Sequence, residues 1–373
     1  MKNVAVFFGG VSQEHDVSVL TGVLTLNSLD KSLFNAVPVY VDKSGLFYTG
    51  ELLKSVSFFK NFNAKKLSRV TLVSGENVLY KVKGKRLRAI LAIDCAINCL
   101  HGRNGEDGSL SGVLRLNRIP LASPDLFSSA ASLDKIKTKM FLKGLGVCSA
   151  DFLSLSRLKY FGDKQGSVAE IENSLNYPLI VKPASSGSSI GISVAKNKNE
   201  LRNGLEKAFL YDNYALVERF MEGAIDVNCA AMRVEGKVVV SECERPLIKG
   251  EILSFADKYT ASKLGEQKEF PAKIKKELSE EIKDTTKTVY EAFGFSGVVR
   301  VDYLVYDDKV YLNEINGVPG SLAYYLFSPK LKDFTKNLTA LINQGVRDHL
   351  LYEGSRFDYE SDILSFKGVA LKK

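Results

Sequence analysis

The fold is decided by two stretches of the C-terminal third, GVVRVDYLVY at residues 297–306 and KVYLNEIN at residues 309–316. Both are rich in β-branched and aromatic residues, which favour strands. The acidic pair Asp307–Asp308 separates them, and aspartate is a common turn residue. The pattern therefore predicts a β-hairpin that turns at the two acids.

The predicted hairpin gathers polar side chains on one of its faces. Side chains alternate between the two faces of a strand. A hairpin centred on Asp308 therefore sets Asp302 opposite Glu314, and Arg300 opposite Asn316, on a shared face. The other face then carries the apolar set Val299, Val301, Tyr303 and Ile315.

This polar face predicts a cation site. Two acids and an amide are poor core material, because burying unpaired charge is costly. They suit a hard cation that takes oxygen ligands and keeps substrate phosphates in its shell. The alternative is a solvent-facing hairpin with ordinary salt pairs, and the tight turn Gly317–Gly320 that follows favours the site. The prediction requires an odd-length turn, since a two-residue turn shifts the register by one and separates Asp302 from Glu314.

The composition excludes several classes of protein. The chain has 373 residues, of which 45% are hydrophobic and 25% charged, so two or three packed units with a large core are expected. No CxxC pair occurs, and the histidines do not cluster near the cysteines, so neither a zinc site nor a disulfide framework is predicted. The cysteines are Cys95, Cys99, Cys148, Cys229 and Cys243.

Charge and hydropathy indicate a soluble cytoplasmic protein. The opening MKNVAVFFGG is too short for a signal peptide and reads as a first strand. No stretch has the length of a membrane span. The formal net charge is +8, but the basic residues are dispersed among acids, which disfavours nucleic-acid binding. The denser patches 60–69 and 81–88 indicate a solvated surface, or steering of an anionic substrate such as a nucleotide.

The N-terminal third has the rhythm of an open parallel sheet. The expected order is strand Val4–Phe8, a helix capped by Ser12, and strand Ala36–Val41. Residues 50–90 are expected to form either added strands or a long surface excursion. A buried strand over Ala89–Leu100 completes the unit.

The remaining elements alternate strands and helices. The expected helices are 134–144, 200–209, 275–293 and 334–350, and the expected strands are 177–182, 192–195, 215–219, 238–243, 297–305 and 310–315.

A loop of small residues, KPASSGSSIG from Lys182 to Gly191, lies between two of these strands. Such a loop can donate backbone N–H groups to phosphates, although it lacks the GK[ST] of a P-loop. Lys182 and Lys135 are natural phosphate cations. A flexible hairpin tip is the alternative for the loop. Residues 216–221 offer a strand edge whose backbone can meet an adenine, with core packing as the alternative.

The order of these segments resembles the D-alanine–D-alanine ligases of the ATP-grasp superfamily over nearly the whole chain. The matching segments are GGVSQEHDVS (9–18), HGRNGEDGSLSG (101–112), LDKIKTK (133–139), VKPASSGSSIG (181–191), LVERF (216–220), ADKY (256–259), FPA (270–272), RVDY (300–303) and NEINGVPG (313–320).

The resemblance implies an α/β chain with the ATP-grasp fold. It places an open parallel-sheet, substrate-binding unit at 1–133, a central α+β unit at 134–217 and a catalytic α+β unit at 218–373, the last two clamping ATP. It also implies ATP as co-substrate, two Mg²⁺ ions with Mn²⁺ as a substitute, D-alanine as substrate, a homodimer, and peptidoglycan precursor synthesis.

The resemblance also implies site residues. Three residues would bind the phosphates of ATP: Lys135, Lys182 and Ser188. Five would bind the adenosine end: Glu218, Arg219, Phe220, Met221 and Asp226. The magnesium ligands would be Asp302, Glu314 and Asn316. The residues that would bind the first substrate or lie at the reacting centre are Glu14, His101, Glu106, Ser188, Lys258, Tyr259, Arg300 and Gly320.

Two departures concern the acceptor substrate. Gly317 stands where the family has threonine, and Tyr325 stands where it has a serine that binds the acceptor carboxylate. Ser321 is a substitute for that serine from another direction. Tyr259 favours an amino acceptor and hence a dipeptide. The alternative is a ligase whose acceptor is D-lactate, D-serine or another amino acid. A catalytically silent nucleotide-binding protein is disfavoured, because the residues that would bind metal and phosphate are present.

Overall fold

A computed structural model describes residues 1–247 and 268–356, together with residues 359, 361, 363 and 365. Lys258 and Tyr259 lie outside the described residues, as does the part of the stretch 253–270 that precedes Lys268. Within the described ranges, no helix combines the length and the apolar character that a membrane span needs.

The N-terminal unit is built on a seven-stranded sheet of order β6-β5-β4-β3-β2-β1-β7. Its elements are β1 (Lys2–Gly9), α1 (His15–Ser28), β2 (Phe34–Val41), β3 (Phe47–Thr49), α2 (Val56–Lys60), β4 (Ser68–Leu72), β5 (Val78–Lys83), β6 (Arg86–Ala92), β7 (Cys95–Asn98), α3 (Ser109–Leu116) and α4 (Leu126–Leu133). The predicted parallel pairing holds for β2-β1-β7. The region 50–90 supplies added strands, which pair antiparallel.

The single strand predicted over Ala89–Leu100 is wrong. This run is divided between exposed β6 at one sheet edge and fully buried β7 at the other. The chain crosses at Asp94, whose carboxylate accepts the Asn3 backbone N–H at 2.6 Å. The apolar residues of β6 lie in an edge strand, and hydrophobicity alone does not distinguish such a strand from a buried one.

The cap predicted at Ser12 is also wrong. α1 begins at His15, with Glu14 as the residue before its first turn. The Ser12 hydroxyl accepts the Glu14 backbone N–H at 3.1 Å, so it shapes the loop rather than the helix end. The helix start thus sets the Glu14 carboxylate at the carboxyl edge of the sheet.

The central unit contains a four-stranded antiparallel sheet of order β10-β9-β11-β8. Its elements are α5 (Lys135–Gly144), β8 (Phe152–Ser156), α6 (Arg157–Gly162), α7 (Lys164–Ser174), β9 (Leu179–Pro183), β10 (Ser193–Ala195), α8 (Lys198–Ala208) and β11 (Tyr214–Arg219). α5 starts as predicted, because the Asp134 carboxylate accepts the N–H groups of Ile136 and Lys137.

The C-terminal unit contains a second four-stranded antiparallel sheet, of order β13-β12-β16-β17. Its elements are β12 (Ile225–Val234), β13 (Lys237–Val240), β14 (Arg245–Pro246), β15 (Lys268–Glu269), α9 (Lys276–Ala292), β16 (Val298–Tyr306), β17 (Lys309–Asn316), α10 (Tyr324–Phe327) and α11 (Leu331–Glu353). β14 and β15 form a separate short ladder.

The predicted hairpin forms, but its turn length differs from the prediction and a β-bulge compensates for the difference. Its turn has the two residues Asp307 and Asp308, both with positive φ, so the expected odd-length turn is wrong. A β-bulge then adds Asn313 to β17 between Tyr303 and Asp302 of the partner strand. The bulge restores the lost register, and Asp302 lies opposite Glu314 as predicted.

The N-terminal and C-terminal units share a core. One buried cluster contains Val4 and Phe8 of β1 together with Leu322, Phe334 and Ala230. α11 packs against both α1 and β12. This packing holds the carboxyl edge of the first sheet beside the residues that follow β17.

Candidate active site

The polar face of the β16–β17 hairpin forms one wall of the site. Arg300 donates two parallel hydrogen bonds to the Asp302 carboxylate, from Nε to Oδ1 at 2.6 Å and from Nη2 to Oδ2 at 2.7 Å. The Asn316 amide donates to the same carboxylate at 3.1 Å. The opposite face packs into the core as predicted, with Val299, Val301, Tyr303 and Ile315 all buried.

The donor set on this wall fits a hard divalent cation. In the part of the chain that the structure describes, no three side chains of His, Cys, Asp or Glu cluster as a metal site. The wall offers instead two carboxylates in cross-strand register, Asp302 and Glu314, and the Asn316 amide oxygen. These are all oxygen ligands, and the two carboxylates are balanced here by Arg300 and Lys135.

A buried chain of charges forms the second wall. Glu218 is held between Lys139 and Lys182, each with its Nζ 2.5 Å from a different carboxylate oxygen. Lys182 also donates to Oδ1 of the bulged Asn313 at 2.9 Å. The two lysines hold the pKa of Glu218 below its usual range against the opposing effect of burial. The group thus combines two buried lysines with one carboxylate, and Lys182 lies at its junction with the hairpin.

Lys139 should contribute to the stability of the fold. Its side chain is only 1% exposed and that of Glu218 only 2%, so Lys139→Met leaves Glu218 with one buried partner instead of two. We expect the free energy of unfolding to fall by about 1.5–3 kcal/mol, the contribution of one hydrogen bond to a charged group, because Glu218 keeps Lys182 as a partner. Chemical denaturation measures this change. Lys137→Met, an exposed lysine on the same helix, is the control, and an equal loss in both variants would contradict the prediction.

Lys135 connects the loop of small residues to the hairpin. Its ammonium donates to the Ser186 carbonyl at 2.8 Å and lies 3.4 Å from Glu314 Oε2. Its backbone N–H bonds the Ala184 carbonyl. The side chain is nearly buried, so its cation is held in place at the opening of the loop rather than free at the surface.

The same loop meets the first unit at Glu14. The Ser188 hydroxyl donates a hydrogen bond to Glu14 Oε1, and both residues are buried. Ser188 and Ser189 both have positive φ, a conformation uncommon outside glycine. A Cβ at Gly187 would lie 2.6 Å from Glu14 Oε2, so a larger residue there would displace the Glu14 carboxylate from its present position.

Glu106 joins the first unit to the turn after β17. Its carboxylate accepts the Gly102 N–H at 2.8 Å and the Val318 N–H at 3.0 Å. Burial, and then the nearby Glu14 carboxylate, raise the pKa of Glu106 to about 7 despite those bonds. Glu14 and Glu106 are thus two interacting acids at one end of the site.

His101 makes a second connection across the same junction. One ring nitrogen lies 3.0 Å from Thr21 Oγ1, and that hydroxyl accepts the Ser321 N–H at 3.1 Å. Burial, with a smaller contribution from the charge of Arg300, lowers the pKa of His101 to about 4. The ring is therefore neutral near pH 7.

The neutral state of His101 contributes stability that is lost in acid, whereas the raised pKa of Glu106 contributes in the opposite direction. The unfolded chain takes up a proton at this residue below about pH 6.5, and the folded chain only below about pH 4. The stabilisation is therefore complete above pH 6.5 and is lost as the pH falls toward 4, by up to about 3 kcal/mol. Denaturant titrations over this range measure it. We expect the wild type to lose this stability relative to His101→Gln as the pH falls from about 6.5 to 4, and a pH-independent difference between the two proteins would contradict the assignment.

The residues after β11 form a rim of the site. Arg219 is exposed with its guanidinium 5.7 Å from the Tyr306 ring centroid, and the Phe220 N–H bonds the Pro178 carbonyl. Met221 is buried. Asp226, on β12, lies opposite Leu304 on β16. A cavity of about 550 Å³ opens here, lined by Asp151, Tyr177, Pro178, Arg219, Phe220 and Tyr306 among others.

The turn after β17 has an unusual backbone. Ser321, Leu322 and Ala323 follow Gly320 with φ of 52°, 48° and 47°, three left-handed residues in succession. A Cβ at Gly320 would meet nothing within 4 Å, so the space beside it is open. Tyr325 comes just after this turn, with its ring centroid 4.1 Å from the Lys268 ammonium.

The structure also adds residues that sequence patterns did not single out. Asn313 belongs to the site only because of the bulge, which no sequence signal announces. Thr21 is an ordinary buried helix residue until the fold sets it beside His101. Lys139 could have been found, since it lies four residues after Lys135 and therefore on the same helix face.

Comparison with known proteins agrees with this geometry. Residues 3–124 match the family model described as D-ala D-ala ligase N-terminus, and residues 141–346 match D-ala D-ala ligase C-terminus. The chain is 34% identical to the D-alanine--D-alanine ligase of Thermosipho melanesiensis over 351 residues, which cover 93% of this chain and 94% of that one.

Solved structures are similar over the same extent. The D-Alanine-D-Alanine ligase of Helicobacter pylori gives a TM-score of 0.74 at 30% identity and covers 91% of this chain and 98% of its own. The VanG D-Ala:D-Ser ligase of Enterococcus faecalis gives a TM-score of 0.77 at 28% identity and covers 92% of this chain and 99% of its own. The chain therefore belongs to the D-alanine–D-alanine ligase family and has its ATP-grasp fold.

Proposed function

We propose that the protein joins two D-alanine molecules to D-alanyl-D-alanine, with ATP converted to ADP and phosphate, for peptidoglycan precursor synthesis. One observation carries the proposal: the buried lysines 135 and 182 converge on the carboxylate face of the hairpin, through Glu314 and the bulged Asn313. Cations fixed beside oxygen ligands are what phosphoryl transfer from ATP requires.

We assign the nucleotide to the cleft between the central and C-terminal sheets. Lys135, Lys182 and the loop around Ser188 bind the phosphates, since their donors are held at the loop opening. Glu218, Arg219, Phe220, Met221 and Asp226 bind the adenosine end, beside the cavity that follows β11.

We assign two Mg²⁺ ions, or Mn²⁺, to Asp302, Glu314 and Asn316. Their oxygen atoms match the preference of these ions, and the amide must present Oδ1 rather than the Nδ2 that now faces Asp302. Bound cations would neutralise charge on the β- and γ-phosphates.

We assign the first D-alanine to the junction at Glu14. Glu14, Ser188 and Tyr259 bind its amine, and the Glu14 carboxylate is already held by the Ser188 hydroxyl. His101 and Glu106 support this centre from the first unit.

The reaction then proceeds in two displacements. The carboxylate of the first D-alanine attacks the γ-phosphorus, the bond to the ADP oxygen breaks, and an acyl phosphate forms. Arg300 and Lys258 stabilise the charge on the transferred phosphoryl group. The amine of the second D-alanine attacks the acyl carbon and loses a proton, phosphate leaves, and the Gly320 N–H stabilises the oxyanion beside its open space.

The second D-alanine binds beside Ser321 and Tyr325. A second candidate function uses another acceptor, namely D-lactate, D-serine or a different amino acid. Tyr325 in place of the family serine favours it, and the similar Enterococcus structure is named as a D-Ala:D-Ser ligase.

We further propose a cytoplasmic homodimer with units at 1–133, 134–217 and 218–373. The assay of the main proposal incubates the protein with ATP, Mg²⁺ and D-alanine, then with each alternative acceptor, and follows phosphate release and product mass. D-alanyl-D-alanine as the main product supports it. Folded protein that releases no D-alanine-dependent phosphate would refute it, and a dominant mixed product would favour the second candidate.

A further inference from the structure

One segment of the central unit holds both ends of the loop of small residues. This anchor segment, residues 207–214, comprises the end of α8, the start of β11 and the turn between them. At the start of the loop, Asp212 Oδ2 accepts the Ser185 backbone N–H at 2.7 Å. Just beyond the far end, the Lys207 ammonium donates to the Ile192 carbonyl at 2.9 Å. The proposed reaction gives the anchor segment no role.

The Asp212 carboxylate is itself fixed by its own turn. Its second oxygen, Oδ1, accepts the Tyr214 N–H at 3.1 Å, which is the local bond that aspartate commonly makes to the backbone two residues on. The Tyr214 carbonyl in turn accepts the Ala184 N–H at 3.0 Å. Two successive N–H groups of the loop, those of Ala184 and Ser185, are therefore bound to the anchor segment.

Tyr211 packs against the far end of the loop. A Cβ at Gly191 would lie 2.8 Å from Tyr211 Cδ2 and 2.6 Å from Pro183 Cγ, so the ring and the glycine backbone are in close contact. Gly191 also has a φ of 79°, which residues with a side chain rarely adopt. The anchor segment thus contacts the loop at both ends, whereas the tip contacts Glu14 through Ser188.

Lys135 holds the start of the same loop through its carbonyl groups. The Lys135 backbone N–H bonds the Ala184 carbonyl at 2.9 Å, and its ammonium bonds the Ser186 carbonyl at 2.8 Å. Residues 184–186 are therefore bound to Asp212 and Tyr214 through N–H groups and to Lys135 through carbonyls. The bond between Asp212 and Ser185 consequently helps to set the backbone that fixes the Lys135 cation.

Asp212 has two opposing effects on an anion that binds at this loop. Its negative charge repels phosphate, so removal of the charge alone would strengthen ATP binding. Its hydrogen bond orders the start of the loop before ATP arrives, which reduces the ordering cost of binding. The side chain is only half-buried, so salt screens its charge. We therefore expect the ordering effect to be the larger.

We infer that Asp212 is a positioning residue that preorganises the phosphate loop through the Ser185 N–H. This inference rests on the proposed function, in which Lys135 and the loop around Ser188 bind the phosphates of ATP. Without the bond, ATP must itself order the loop, and its apparent affinity falls with the fraction of ordered molecules. Once ATP is bound, the loop is ordered in ground state and transition state alike, so the loss appears in KM for ATP and not in kcat.

The test compares Asp212→Asn with Asp163→Asn. Asparagine keeps Oδ1 as the acceptor for the Tyr214 N–H but turns an amide donor toward the Ser185 N–H. Asp163 is the matched control, an exposed acid of the same unit that also accepts a backbone N–H, that of Gly166 at 2.8 Å.

We expect Asp212→Asn to raise KM for ATP about five-fold, the effect of one ordinary hydrogen bond. Its kcat, and its KM for D-alanine at saturating ATP, should stay within about two-fold of the wild type. Asp163→Asn should resemble the wild type. An unchanged or lower KM for ATP in Asp212→Asn would overturn the inference, because charge repulsion would then equal or outweigh the ordering. A fall in kcat at constant KM, or equal changes in both variants, would also overturn it.

Hydrogen exchange separates this inference from the proposed function. In protein without nucleotide, the Ser185 amide should exchange with water about five-fold faster in Asp212→Asn than in the wild type or Asp163→Asn. The Tyr214 amide should keep its wild-type rate. This readout, made by NMR, needs no turnover. Unchanged exchange at Ser185 would refute the positioning role, whereas an inactive wild type with the expected exchange would refute the reaction and support the loop contact.

Discussion

Glu314→Gln is expected to abolish turnover while leaving the fold intact. The substitution removes one of two opposed carboxylates from the proposed cation site. It also removes the negative partner 3.4 Å from the Lys135 ammonium. Loss of several kcal/mol of transition-state stabilisation corresponds to a fall in kcat of about 10³-fold or more. Steady-state phosphate release measures it.

The fold should survive because Lys135 keeps another partner. Its ammonium also bonds the Ser186 carbonyl, so Lys135 keeps a hydrogen-bond partner in Glu314→Gln. Asp308→Asn is the matched control, since this acid lies in the turn of the same hairpin, 68% exposed and paired with Lys275. It should retain wild-type activity. Near-normal activity in Glu314→Gln would contradict the metal assignment, and unfolding of that variant would contradict the structural account.

Lys182→Met is expected to have a comparable effect on the use of ATP. Lys182 is the cation that touches both the buried Glu218 and the hairpin residue Asn313. Its removal takes a fixed positive charge from the phosphate site and releases the bulge from its partner. We expect kcat/KM for ATP to fall by about 10³-fold, equivalent to about 4 kcal/mol.

The control for this variant is Lys198→Met. Lys198 belongs to the same unit but is exposed, with an ion pair to Glu172 at 3.4 Å. Glu218 retains Lys139 in Lys182→Met, so a neutral buried pair remains and the protein should stay folded. Equal losses in both lysine variants would show a general electrostatic effect and would contradict a specific role of Lys182.

Much of the fold follows from local sequence, but its exact register does not. Alternation predicted that Asp302 and Glu314 face each other, and they do. The turn at Asp307–Asp308 has two residues instead of an odd number, and the bulge at Asn313 corrects the shift. A bulge depends on contacts from outside the hairpin, here the Lys182 bond to Asn313, and therefore leaves little trace in local sequence.

The errors at Ser12 and in the run 89–100 have related causes. The Ser12 side chain bonds the backbone of Glu14 in a loop, a local alternative to capping that sequence does not distinguish. The run 89–100 is divided between opposite edges of the sheet, and only the complete strand order shows this. Both errors concern choices that tertiary context decides.

The candidate site was predictable as a set of residues and not as a network. The family motifs indicated Lys135, Lys182 and Glu218 separately. The structure joins the last two to Lys139 in one buried chain of charges. It likewise joins Tyr325 to Lys268, a contact between residues that are far apart in sequence and share no motif. Such contacts arise from packing between units.

The most direct test of the central claim is the fate of the carboxylate oxygen of D-alanine. The protein is incubated with ATP, Mg²⁺ and D-alanine carrying ¹⁸O in its carboxylate, and the released phosphate is analysed by mass spectrometry. Because the carboxylate attacks the γ-phosphorus and its oxygen leaves with phosphate, each phosphate should carry a single ¹⁸O beside an equal amount of D-alanyl-D-alanine. Unlabelled phosphate, or labelled phosphate without dipeptide, would contradict the account.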